Sequence, residues 1–139
     1  DRFVLSIGGG MPVREENRAL LRNLGTVVYL KTSKEEIIRR VSIAMYEGEI
    51  NMVIHAGGGT ADVNVTEDYI EILLCDKGPG IKDVEQAMQE GFSTATDNIR
   101  SLGFGAGMGL PNMKRYTDYM NIDSVPGEYT NITMRVNIQ

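Results

Sequence analysis

The sequence predicts a two-layer α/β sandwich in which a mixed sheet carries its helices on one face. Three observations lead there. A long amphipathic stripe starts at a capping-box pattern, Ser33 with Glu36 three residues on, and runs through Ile37, Val41, Ala44 and Met45 to about residue 55. Two pairs of strand-like runs follow it, each pair joined by turn residues. The 16 glycines cluster at 8–10, 57–59, 78–80 and 103–109, so they punctuate these elements and bring backbone close to something.

In chain order, 3–7 (Phe-Val-Leu-Ser-Ile) reads as a buried strand. Residues 13–24 read as a helix with Ala19, Leu20, Leu21 and Leu24 on its stripe, closed by Gly25. Residues 26–30 are a β-branched second strand. The long helix from Ser33 comes next and stops at Gly57-Gly58-Gly59. Residues 61–65 alternate and 69–74 are more fully apolar, with Thr66-Glu67-Asp68 as the turn of a hairpin. Asp83 caps a short helix over 83–90, and 92–107 form a polar, glycine-rich stretch expected to be a mobile lid. A helix over 110–119 places Pro111 in its first turn, where a missing N–H does no harm. Strands at 120–124 and 130–138 around Pro126-Gly127 complete about six strands and four helices.

The 139 residues amount to one domain's worth, with 42% hydrophobic and 24% charged residues, as in a soluble globular protein. A net charge of −5 argues against a non-specific nucleic-acid surface. No apolar run approaches the roughly 18 residues of a membrane span. The chain opens on Asp1-Arg2 without an initiator Met, so it reads as an excerpt with no signal peptide. The single Cys75 rules out an internal disulfide, and a cytoplasmic location is the expectation. The eight Met residues are expected to fill core gaps, and Arg39-Arg40 to form a solvated helix face.

Three short motifs carry the chemistry. In Glu47-Gly-Glu-Ile-Asn51 the outer residues are four apart on a helix and share a face, with His55 continuing the line toward a site rim. A carboxamide there can take one position on Mg²⁺, and a carboxylate can orient a water or accept a proton from an attacking hydroxyl. An exposed polar stripe would look the same, and by itself is the more ordinary reading. In Asp76-Lys-Gly78-Pro-Gly80 a carboxylate ends a strand beside glycines that admit a flat ring, so it could accept from an exocyclic amine such as adenine's. A plain Asp-x-Gly turn is equally compatible. Gly103-Phe-Gly105-Ala-Gly107-Met-Gly109 is the sharper signal, because alternate glycines before a helix offer successive N–H groups to an anion. Lys114, one turn further on, could reach a phosphate, whereas a flexible linker would seldom hold Phe104, Met108 and Leu110.

With these motifs in this order, residues from about 37 onward resemble the GHKL ATPase superfamily, and within it the anti-sigma factor serine kinases and their regulatory-switch relatives. Residues 42–59 resemble the N box, Asp76 to Ile81 the first glycine box, and Gly91-Phe-Ser-Thr94 with 102–114 the lid and second glycine box. The resemblance implies a Bergerat-type ATP-binding fold and use of Mg-ATP. It makes Glu47 the catalytic base and Asn51 the Mg²⁺ ligand. Asp76 would bind the adenine amine with Gly78, Gly80, Ile81 and Thr133, while Gly105, Gly107, Gly109, Leu110 and Lys114 would hold phosphates. It also implies a serine of an anti-sigma-factor antagonist as substrate, a sigma factor as second partner, and a homodimer. Tyr129 stands where that family has glycine before Thr130, which puts the closing turn in question.

Residues 1 to about 40 are similar instead to the middle of shikimate kinase, through Ser6-Ile-Gly8-Gly9-Gly10-Met-Pro, Arg14-Glu-Glu-Asn17-Arg18 and Gly25-Thr-Val-Val-Tyr-Leu30. The Gly-x-x-x-x-Gly-Lys-Ser/Thr phosphate loop occurs nowhere in the chain, so shikimate kinase activity is not expected. The chain therefore reads as a mosaic of residues 1–40 and 41–139 joined inside a helix, a recombined or designed chimera ahead of a natural fusion. Three functions compete: an active protein serine kinase, a nucleotide-binding or partner-binding module without turnover, and a folded fragment combination with no selected activity.

Overall fold

A computed structural model describes residues 33–101 and 103–138. The strand, helix and strand expected within 3–30, with Phe3, Val4, Leu5, Leu20, Leu21, Leu24, Val27, Val28 and Leu30 as their core, lie outside the described residues, as does Leu102.

Helix α1 spans Lys34–Asn51. The Ser33 hydroxyl accepts from the Glu36 N–H at 3.1 Å, so half of the expected capping box forms. The Glu36 carboxylate does not complete it, because it grips Arg39 at 2.8 and 2.9 Å. Ile37, Val41, Ala44, Met45 and Gly48 recur at helical spacing and pack inward. The helix then widens into a π-turn, Met52–Ala56, ended by Gly57 at φ 73°. The expected stop at the triple glycine is therefore met, with a wider last turn than the sequence pattern predicts.

Strands β1 (Thr60–Val65), β2 (Tyr69–Asp76), β3 (Tyr119–Val125) and β4 (Tyr129–Asn137) form one sheet in the order β1-β2-β4-β3. All three ladders among the described residues are antiparallel. The expected hairpin turn is set by Thr66, whose hydroxyl donates to the Tyr69 carbonyl at 2.8 Å and accepts from the N–H groups of Asp68 and Tyr69. Between β2 and β3 come α2 (Val84–Ala87), α3 (Asp97–Ser101) and α4 (Gly109–Tyr116). Asp83 caps α2 as expected, accepting from Gln86 N–H at 2.9 Å. The polar stretch 92–107 holds α3, one turn of helix that its glycine-rich sequence did not predict.

Alternation in β4 sorts the two faces. Thr130, Ile132, Met134 and Val136 are buried, and Ile132 and Met134, with Ile72 and Leu74 of β2, meet Ala44, Met52 and Met113 of the helical layer. Three methionines sit in this core, as expected of gap-fillers.

Arg40 corrects the reading of Arg39-Arg40 as a solvated face. Arg39 is exposed, but the Arg40 side chain is only 17% exposed. Its guanidinium donates to the Tyr116 carbonyl at 3.1 Å and pairs with Asp118 at 2.9 Å, pinning α1 to the corner between α4 and β3. Desolvation pushes the Asp118 carboxyl up, yet the Arg40 hydrogen bond and the Asn137 N–H outweigh it and hold the carboxyl below its ordinary value. A lowered folded-state carboxyl stabilises above the ordinary aspartate range, near pH 4, and that stability is lost as pH falls through the lowered value. Asp118→Asn should therefore be less stable than the parent at pH 7 and nearly level with it at pH 2–3, read by urea midpoints at both pH values. A constant difference across that range would refute the linkage.

Candidate functional site

The three motifs meet around one cavity of about 630 Å³ between the helical layer and the β2–β4 end of the sheet. That volume suits a nucleotide-sized ligand. The α1 face supplies Glu47 and Asn51, and the π-turn brings His55 to the rim. Desolvation holds the His55 imidazole below its ordinary value against an opposing pull from the Asp76 carboxylate.

Asp76 ends β2 at the opposite wall. Its carboxylate accepts from Gly78 N–H at 2.9 Å, so the Asp-x-Gly turn and the cavity-facing carboxylate coexist. That turn is clamped to the β3–β4 hairpin. Ile81 N–H donates to the Ser124 hydroxyl at 2.9 Å, and Gly127 N–H to the Pro79 carbonyl at 2.7 Å. Gly80 takes φ 64°, and a Cβ there would run into the Val125 carbonyl, so only glycine meets both demands. Tyr129 leaves the closing turn intact: Glu128 N–H donates to Val125 at 3.0 Å, and the Tyr129 carbonyl accepts from Ser124 Oγ at 2.8 Å.

The third wall is the glycine loop and the start of α4. Gly105 and Gly107 take φ of 72° and 73° between Phe104, Ala106 and Met108, and the whole run 103–109 lines the cavity. Gly91 N–H bonds the Gly107 carbonyl at 3.0 Å and closes the base of the loop. No side chain caps α4, so its first N–H groups are available to an anion. At Gly109 a Cβ would lie 3.0–3.1 Å from the Asn51 amide, so glycine lets the helix start come up against the Asn51 side chain.

Among the residues the sequence singled out, Glu47, Asn51, Asp76, Gly80, Ile81, Gly105, Gly107, Gly109 and Leu110 line the cavity, and three do not. Thr133 shares its strand face with Asn131 and Arg135, away from the helical layer, whereas Thr130 pairs across the ladder with Asp76 and lines the cavity. Gly78 is close-packed against Ala56 of the π-turn and orients Asp76 through its N–H instead of facing the ligand space. Lys114 is exposed one helical turn beyond Leu110, outside the lining. Sequence reasoning missed Thr130, Lys82 and Asn112. Lys82 lines the cavity, and Asn112 Nδ2 donates to Glu47 Oε1 at 2.6 Å. The parity of Ile132, Met134 and Val136 was the signal that could have selected Thr130.

The profile of the "Histidine kinase-, DNA gyrase B-, and HSP90-like ATPase" family matches residues 36–139, and that of shikimate kinase matches residues 1–47. The serine/threonine-protein kinase RsbT of Bacillus subtilis (strain 168) is 35% identical over 97 residues, covering 67% of each chain. The anti-sigma F factor of Caldanaerobacter subterraneus subsp. tengcongensis is 32% identical over 105 residues, covering 76% of this chain and 66% of that one. The chain thus spans about two thirds of the length of these relatives. Shikimate kinase of Chromohalobacter salexigens is 57% identical over 42 residues, 30% of this chain and 23% of the enzyme. Among solved structures, the mycobacterial sensor histidine kinase MprB superposes with a TM-score of 0.52 at 18% identity, covering 71% of this chain and 70% of that one, which is a likeness of fold. The sandwich, the cavity where three motifs converge and the match over 36–139 agree, and the chain belongs to the histidine kinase-, DNA gyrase B- and HSP90-like ATPase family.

Proposed function

We propose that the protein binds Mg-ATP in this cavity and transfers the γ-phosphoryl group to a serine of an anti-sigma-factor antagonist, as a cytoplasmic switch kinase. The observation that carries this reading is the placement of Glu47 and Asn51 on one wall, beside the α4 N-terminus, with Asp76 and Thr130 on another wall of the same space. In it, Asp76 accepts the exocyclic amine of adenine, and Thr130 lies beside it. The glycine-loop N–H groups and the start of α4 hold phosphate oxygens. The Asn51 amide, held against Gly109, suits one position on a cation that otherwise keeps water and phosphate ligands. Mg²⁺, when bound, would neutralise phosphate charge. Glu47 takes the proton of the attacking hydroxyl. A sigma factor as second partner, drawn from the name of the anti-sigma F factor relatives, belongs to the same reading, and so does a homodimer, which rests on the family resemblance alone.

Calorimetry with Mg-ATP tests binding. Asp76→Asn should weaken it by roughly 10- to 100-fold, since a hydrogen bond to a charged acceptor is worth about 1.5–3 kcal/mol. Phosphate transfer to an antagonist protein, lost in Glu47→Gln while binding persists, tests turnover. No binding by the folded parent would end the reading.

The shikimate-kinase match over 1–47 favours a second reading. In it the chain is a chimera with a boundary near residue 40, in which the ATPase part folds and takes nucleotide without transferring phosphate. Binding by the parent with no transfer to any antagonist would select it.

A further inference from the structure

Resting on the assignment of Glu47 as base, we propose that Asn112 is a positioning residue that aims the Glu47 carboxylate into the cavity and ties it to the phosphate cradle. The two residues stand 65 positions apart in sequence and on different helices, yet Asn112 Nδ2 meets Glu47 Oε1 at 2.6 Å in a half-buried contact. Among the described residues the Glu47 carboxylate makes no other hydrogen bond, so Oε2 is left for a proton from the substrate hydroxyl. A neutral amide suits this task. It fixes the carboxylate's rotamer without placing a cation beside it, as a lysine or arginine would.

Asn112 itself is held where this is possible. It lies in the first turn of α4, three residues after Gly109, and its backbone N–H is fixed to the Met108 carbonyl at 2.8 Å. Its neighbours Leu110 and Pro111 line the cavity, and Met113 is fully buried against Leu74 and Ala44 in the core. The helix start that offers N–H groups to phosphate thus also holds the base. A misplacement of either loses both the approach distance and the proton acceptor.

The test is single-turnover hydrolysis of Mg-ATP, with water as the attacking hydroxyl, measured from pH 5 to 9. In that reaction the water oxygen bonds to the γ-phosphorus, its proton passes to Glu47, and the bond to ADP breaks. The variants are Asn112→Ala, Asn112→Asp, Glu47→Gln and the Asn112→Ala/Glu47→Gln pair, with calorimetric binding of Mg-ATP beside each. Asn112→Ala should bind Mg-ATP within about threefold of the parent and hydrolyse it at least tenfold more slowly. It should have little further effect in the Glu47→Gln background, because the two act as a unit. The isosteric Asn112→Asp places a like charge on Glu47 and should move the acid limb of the pH–rate profile upward, a readout that loss of packing would not move. Full rates in Asn112→Ala, with a slow Glu47→Gln, would overturn the role of Asn112 alone. Equal losses in both backgrounds, or an unmoved acid limb in Asn112→Asp, would do the same. Equal rates in parent and Glu47→Gln, or no turnover in a parent that binds Mg-ATP, would remove the base assignment and this inference together.

Discussion

Gly48→Val is expected to destabilise the protein by about 3 kcal/mol, at the upper end of what overpacking costs. Glycine inside a helix is unfavourable by about 1 kcal/mol relative to alanine, so α1 carries Gly48 against its own propensity. The reason is contact. Gly48 is buried, and a Cβ there would overlap the Leu74 side chain and lie 3.5 Å from Met113 Sδ. Those two residues are themselves fully buried, which leaves little room for retreat. The absence of a side chain lets α1 lie close to β2 and α4, and it is this approach that brings Glu47 and Asn51, on either side of Gly48, up to the cavity. Gly48→Val should lower the melting temperature by roughly 10 °C or more and weaken nucleotide binding with it. Gly48→Ala should be milder, since its gain in helix propensity offsets part of the overlap. A Gly48→Val protein that melts with the parent would show that the core is looser than the contacts indicate.

Asn51→Ala should remove the Mg²⁺-dependent part of nucleotide binding. A ligand at about a hundred times its dissociation constant stabilises the native state by roughly 2.7 kcal/mol, visible as a rise in melting temperature. The parent should show that rise with Mg-ATP and a smaller one with ATP and a chelator. Asn51→Ala should give the smaller rise in both cases. The substitution takes the amide off a half-buried surface position beside Gly109 without opening a core cavity, so the unliganded variant should melt close to the parent. Equal Mg²⁺ dependence in variant and parent would place the metal ligand elsewhere.

Much of this was legible in the sequence because it rests on local rules. Ser33 and Asp83 cap because a short polar side chain reaches an N–H three residues on. The hairpin 60–76 follows from alternation and a Thr-Glu-Asp turn, and the glycine loop from its spacing before Leu110-Pro111. What failed depends on facing. Thr133 and Thr130 are both threonines on one strand, and only the parity set by Ile132, Met134 and Val136 separates the cavity side from the outer side. Arg40 looked like its exposed neighbour Arg39, because its partners Tyr116 and Asp118 arrive from 76 and 78 positions away (116 − 40 and 118 − 40). Asn112 could not be paired with Glu47 before α4 was laid against α1, since no periodicity connects two helices. Gly78 was recognised as a required glycine but assigned to the ligand, whereas its close neighbour is Ala56.

The wide turn Met52–Ala56 has a consequence for how the chain tolerates changes of length. A π-turn holds one residue more than an α-turn over the same rise, so it acts as slack in the register of the helix. Val53 sits there with 64% of its surface exposed. Its deletion can be absorbed by tightening Met52–Ala56 into an ordinary turn, leaving Glu47 and Asn51 upstream and Asp76 downstream where they were. The same deletion two turns earlier has no slack to draw on. It would rotate the remaining helix by about 100° and carry Glu47 or Asn51 off the cavity face. Length variation among sequences of this shape is therefore expected to concentrate after Asn51 and to spare 37–51.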